Sequence, residues 1–154
     1  LKIIAFFVLI SFLNACSYKP IFLKKSYDFK IKEINVVGDK DINSIINRKL
    51  KFIKTDDGNY KKIYTVDLNT KKERRVISKD TQGDPEKFEI SITTKYKIYN
   101  NQKLLVERKI KQKNIYNNET DKFKLEKSEK IIIQNLTEKI SENIITSIIN
   151  LNDN

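Results

Sequence analysis

The chain has 154 residues, of which 31 are basic and 20 acidic, giving a net charge of +11 and a pI near 9.6. It holds no histidine and one cysteine, Cys16, which excludes Ser-His-Asp triads, Cys-His dyads, internal disulfides and ordinary zinc sites. Its three glycines, Gly38, Gly58 and Gly83, are too scattered to cradle a phosphate, so neither an enzyme nor a cofactor is expected.

The first element is a leader. Lys2 supplies a minimal positive region, and Ile3 to Leu13 (IIAFFVLISFL) are uniformly uncharged and mostly apolar. As a helix this stretch rises only about 16 Å, roughly half a hydrocarbon core, so a secretory signal over residues 1–15 is expected rather than a membrane span. The tetrad Leu13-Asn14-Ala15-Cys16 resembles a bacterial lipobox, with Leu at −3, a small residue at −1 and Cys at +1. Asn14 departs from the small or aliphatic residue usual between them. The alternative is an ordinary signal peptide with an incidental cysteine. A free thiol, however, is a liability in an oxidising compartment, and a thioether link to diacylglycerol removes it. Each buried methylene adds about 0.8 kcal/mol, so two or three acyl chains on Cys16 hold a protein stably where one does not. Ser17 follows at +2, where, by resemblance to Gram-negative lipoproteins of this kind, Ser permits export to the outer membrane and Asp tends to retain the chain at the inner one.

Residues 16–27 read as a lipidated arm, in which Pro20 biases Lys19 away from helix. A single α/β domain is expected over residues 28–150. Its first strand spans Phe29 to Val37, with Phe29 and Ile31 on one face and Ile34 and Val36 on the other. Ile42, Ile45, Ile46, Leu50 and Ile53 recur at helical spacing over 41–53, and Asp39 or Asp41 is placed to cap. Asp56-Asp57 precedes Gly58 and reads as turn chemistry rather than a catalytic pair. Tyr64, Val66 and Leu68 start a second strand that extends through a charged stretch to Val76 and Ile77. The clearest strand runs from Lys87 to Tyr99: Phe88, Ile90, Ile92, Thr94, Tyr96 and Ile98 share one parity, and Glu89, Ser91, Thr93, Lys95 and Lys97 the wet one. After a turn at Asn100-Asn101, Leu104, Val106, Ile110 and Tyr116 mark a returning strand. Residues 122–149 form a long helix with Ile133, Leu136, Ile140, Ile144 and Ile148 as its main stripe, widened by Ile132, Ile145 and Ile149, and with Thr120 or Asp121 as its cap. The order β-α-β-β-β-α predicts an α+β two-layer sandwich, a four-stranded mixed or antiparallel sheet covered on one face by two helices.

The positive charge has two readings. It fits a polyanionic partner, such as an anionic membrane or a phosphorylated glycolipid. It also fits compositional bias, because 27 Lys against 4 Arg, with 25 Ile and 16 Asn, is what an AT-rich genome writes by default. Nucleic acid is not expected, since no recognition motif and no aromatic-basic platform is present.

Taken together, the opening Cys16-Ser-Tyr-Lys-Pro-Ile-Phe22, the strand-helix-strand block, the hairpins from Tyr64 to Tyr116 and the terminal helix resemble the LPS-assembly lipoprotein family, LptE. The resemblance implies a lipid-anchored protein on the periplasmic face of the outer membrane. Its partner would be an LptD-type β-barrel, which it plugs and helps to assemble for insertion of lipopolysaccharide into the outer leaflet. It further implies that lipopolysaccharide is a possible direct ligand, with the basic stretch Lys71, Lys72, Arg74, Arg75 and Lys79 as the candidate contact and the two arginines as forked donors to phosphate. The competing reading of that stretch is a solvated charge run. Tyr60, Tyr64, Tyr96 and Tyr99 are candidate barrel anchors, although Tyr64 and Tyr96 sit in core parity. A second functional reading is another small envelope lipoprotein with a structural or peptidoglycan-contact role.

Cys16→Ala is expected to release the chain from the membrane without unfolding residues 28–149. Palmitate labelling with fractionation checks this, and undiminished membrane residence of the variant counts against lipid anchoring.

Overall fold

Alternating apolar side chains on the strands and two helical stripes converge on one side of a single sheet. The computed structural model describes residues 29–51, 53, 60 and 62–152. The leader, Cys16, Ser17, the arm to residue 27 and the 55–59 loop lie outside them. The elements are β1 (Phe29–Gly38), α1 (Lys40–Lys51), β2 (Lys62–Lys79), β3 (Pro85–Asn100), β4 (Lys103–Asn117) and α2 (Lys122–Asn152). The sheet order is β1-β2-β3-β4, parallel between β1 and β2 and antiparallel across the two hairpins. This is the expected α+β fold with a mixed sheet, and α1 is the crossover that lets β1 and β2 run parallel.

The core takes Tyr64, Val66 and Leu68 from β2 and Ile90, Ile92, Tyr96 and Ile98 from β3. The helices close it with Ile42, Ile46 and Leu50 from α1 and with Leu136, Ile140, Ile144 and Ile148 from α2. Each fully buried isoleucine contributes roughly 1.5–3 kcal/mol relative to an exposed one. Two small polar residues share the buried stripe of α2. Thr137 Oγ1 donates to the Ile133 carbonyl at 2.7 Å and Ser141 Oγ to the Thr137 carbonyl at 2.8 Å, so neither hydroxyl is buried without an acceptor. Lys62 Nζ and Tyr64 Oη both donate to the Leu151 carbonyl, at 3.0 and 3.3 Å, and so tie the end of α2 to the start of β2.

Local chemistry sets the ends of the elements. Asp39 is the cap of α1, its Oδ1 accepting the Asp41 and Ile42 amides at 3.1 Å each. Asp121 caps α2 in the same way, with the Phe123 and Lys124 amides at 2.9 and 3.2 Å. The β3–β4 turn falls on Asn101 and Gln102, both at positive φ (46° and 70°), one residue later than the expected Asn100-Asn101. Two consecutive left-handed residues give the twist that a two-residue hairpin needs.

One expectation fails. Ile31 pairs with Tyr64 and Ile34 with Val66, with a register shift between Ile31 and Glu33. The bulge absorbs Lys32 and restores phase, so Phe29, Ile31, Ile34 and Val36 all lie on the helix side rather than on two faces. A strict period of two cannot reveal an inserted residue.

β1 stops where Gly38 takes φ 107° and packs against β2: a Cβ built there would lie 1.9 Å from the Thr70 carbonyl oxygen. Gly83, in the β2–β3 turn, has φ 90° but open space around it. Gly38→Ala is therefore expected to cost about 2–4 kcal/mol through clash and strain together, and Gly83→Ala about 1 kcal/mol through strain alone. Urea midpoints of the two variants check the difference, and equal losses would refute the packing role of Gly38.

Candidate interface on the open sheet face

The basic stretch lies on β2 beyond the end of β1, whose last pairing is Gly38 with Thr70. Nine residues of β2, about 30 Å of strand, therefore have β3 on one side and, among the described residues, no strand on the other. Alternation splits the five candidates between the two faces. Lys72 pairs with Ile92 and Arg74 with Ile90 on the helix side, whereas Lys71 pairs with Thr93 and Arg75 with Glu89 on the open side. The stretch is not one surface.

Most of its charge is used within the fold. Lys72 Nζ lies 3.1 Å from Asp39 Oδ2 at the α1 cap. Arg74 Nε donates to Glu129 Oε1 at 2.9 Å and to Tyr116 Oη at 3.0 Å, while its guanidinium stands 3.6 Å above the Phe88 ring. Tyr116 in turn donates to Glu129 Oε1 at 2.6 Å and stacks on Phe88 at 5.7 Å. This knot joins β2, β3 and β4 to the first half of α2. Burial would lower the Arg74 pKa, but its bonds to Glu129 and Tyr116 hold it above the ordinary value. Arg74 is thus tied into the fold through Nε, while 41% of its side chain stays exposed.

On the open side, Arg75 reaches Glu89 Oε1 through Nε at 2.9 Å and Nη2 at 2.8 Å, and Lys113 Nζ lies 3.4 Å from Glu89 Oε2. Burial acts to raise the Glu89 pKa, yet Lys113 and Arg75 outweigh it and hold the carboxylate below its usual range. These long side chains also explain why Glu89 and Ser91 are only 3% and 4% exposed although no second layer among the described residues covers them. The wet face expected at these two positions is shielded by its own neighbours. Lys71 pairs with Glu73 at 2.7 Å, and Lys79 has no ion pair among the described residues.

Three lysines that sequence reasoning had left aside stand in the middle of the same face. Lys95 pairs directly with Lys109, and Lys111 stands opposite Thr93, in line with Lys71. Together with Asn69 and Glu73 they line a shallow groove of about 350 Å³. The signal that could have found them is the parity of β4: Glu107, Lys109, Lys111 and Lys113 alternate with Arg108, Ile110 and Gln112. Of the tyrosines, Tyr64 and Tyr96 are core, as their parity implied, and Tyr99 is half-buried opposite Leu104. Tyr60 is also half-buried.

No family model matches this chain, and no curated protein matches it. Solved structures do. The rare lipoprotein B of Shewanella oneidensis superposes with a TM-score of 0.58 at 13% identity, over 75% of this chain and 92% of its own. The uncharacterized lipoprotein B of Nitrosomonas europaea gives 0.59 at 13% identity, over 82% and 88%. A minor lipoprotein from Acinetobacter baumannii gives 0.54 at 13%, over 80% and 95%. The chain shares its fold with these proteins. At such identities the likeness is one of architecture and carries no side chain across.

Burial first, and then the bond to Glu129, push the Tyr116 phenol up to about 12. Because its folded value lies above the ordinary one near 10, its contribution is complete below pH 10 and is lost as the pH rises toward 12. Tyr116→Phe is expected to be less stable than the parent at pH 8, and the gap is expected to narrow between pH 10 and 12. Thermal melts of both proteins across that range check it; a gap independent of pH would refute the phenol's role in the knot.

Proposed function

We infer that the chain is an outer-membrane lipoprotein of the LptE type, anchored through Cys16 on the periplasmic face. In this reading it occupies the lumen of an LptD-type β-barrel, where it supports barrel assembly and insertion of lipopolysaccharide, and it performs no catalysis. The observation that carries the reading is the meeting of two independent features. One is the lipobox-like Leu13-Asn14-Ala15-Cys16 followed by Ser17. The other is a fold shared over three quarters or more of the chain with proteins called rare, minor or uncharacterized lipoproteins. Ser17, at the sorting position, supports the outer membrane rather than the inner one.

The physical form suits the role. One sheet with helices on a single face is a wedge, with one side closed by α1 and α2 and the other open to a wall. Among the described residues no helix is long and apolar enough to cross a membrane, so in this reading the acyl chains hold the protein to the bilayer. The arginines first considered as phosphate ligands are committed to Glu129 and Glu89, which moves any anion-binding role away from them. Affinity capture from gently solubilised outer membranes, with captured proteins identified by mass, is expected to return one large β-barrel protein in stable complex. Recovery of the chain without a barrel would overturn the reading.

A further inference from the structure

We propose that the open face of β3 and β4, centred on Lys95, Lys109 and Lys111, receives an extended polypeptide segment bearing carboxylates at alternate positions. Like charges directly opposite each other across a sheet are destabilising, and Lys95 and Lys109 are such a pair. Several other cations on this face have an acid at hand. Lys71 has Glu73, Arg75 and Lys113 share Glu89, and Lys97 lies 3.3 Å from Glu107. Lys95 and Lys109 have no ion pair among the described residues, and Lys111 acts on Glu73 only through space. Three ammonium groups thus share one groove, two of them directly opposed, and an anionic occupant would offset their repulsion.

The lattice of the patch selects the occupant. Lys109 and Lys111 stand at i and i+2 on one strand, about 6.8 Å apart, which is the interval at which any extended peptide repeats the side chains of one face. Lys95 widens the row by one strand spacing, about 4.8 Å. An extended acidic segment therefore meets successive ammonium groups without bending. A phosphorylated lipid fits less well, because the groove is lined by polar and charged side chains alone, Asn69, Lys71, Glu73, Thr93 and the three lysines, and offers little apolar surface for acyl chains. Lysine ammonium groups also act as point charges rather than forks. The inference rests on the proposed function only for the partner's identity, a wall or loop of the barrel.

The test is titration calorimetry on the full chain in nonionic detergent at low salt. The probes are a ten-residue peptide alternating Glu and Thr, a peptide of the same composition with its five glutamates in one block, and micelles doped with phosphatidylglycerol. The alternating peptide is expected to bind most tightly. Lys109→Gln/Lys111→Gln is expected to weaken it about tenfold, with Lys109→Arg/Lys111→Arg restoring most of the loss. The Gln variant is also expected to melt no lower than the parent, since it relieves repulsion, which separates lost binding from lost folding. A control pair on α2, Lys122→Gln/Lys124→Gln, is expected to bind as the parent does. Equal binding of the blocked peptide, indifference to the Gln variant, or preference for the anionic micelles would each overturn the proposal. The titration needs no barrel, so failure of affinity capture sinks the proposed function and leaves this result to stand or fall alone.

Discussion

The structure depends on β3. This 16-residue strand is paired along both edges, to β2 from Tyr64 to Lys79 and to β4 from Lys103 to Asn117, and its even-numbered residues build the floor of the core. A strand fixed on both sides cannot slip by one residue without turning Ile90, Ile92, Tyr96 and Ile98 out to water. The same register fixes everything on the opposite face. Once Ile98 faces the helices, Lys95 and Lys97 must face away, and the pairing of Lys95 with Lys109 follows.

The two faces treat charge differently. On the helix side, where α2 covers the strands, Arg74 is held among Phe88, Tyr116 and Glu129, and its charge serves to bind layers together. On the open side, Glu89 is wrapped by Arg75 and Lys113 and becomes nearly as inaccessible as a core residue. These pairs join strands rather than reach outward. The net charge of +11 already counts these acids, so pairing decides where the excess cations stand and not how many there are.

A helix-covered face supplies stability and an open face supplies a surface, so one sheet separates the two tasks. Among the described residues the far half of β2 is paired on one edge only, and Lys71, Lys72, Arg74 and Arg75 disfavour edge-to-edge pairing there.

The order of elements, the parity of β3 and the stripe of α2 were legible in the sequence because each is periodic and local. The lipobox-like junction lies outside the described residues, and its meaning rests on covalent chemistry rather than on the fold. The bulge at Lys32 was not legible, since an extra residue shows itself only against a partner strand. Nor was the fate of the basic stretch: Glu129 lies 55 residues from Arg74, and Glu89 lies 14 from Arg75 across a turn. Composition decided that the chain would be lysine-rich and without a catalytic triad. Tertiary structure alone decided which lysines would be spent on neighbouring acids and which would face one another, because electrostatic pairing depends on distance through space and not along the chain.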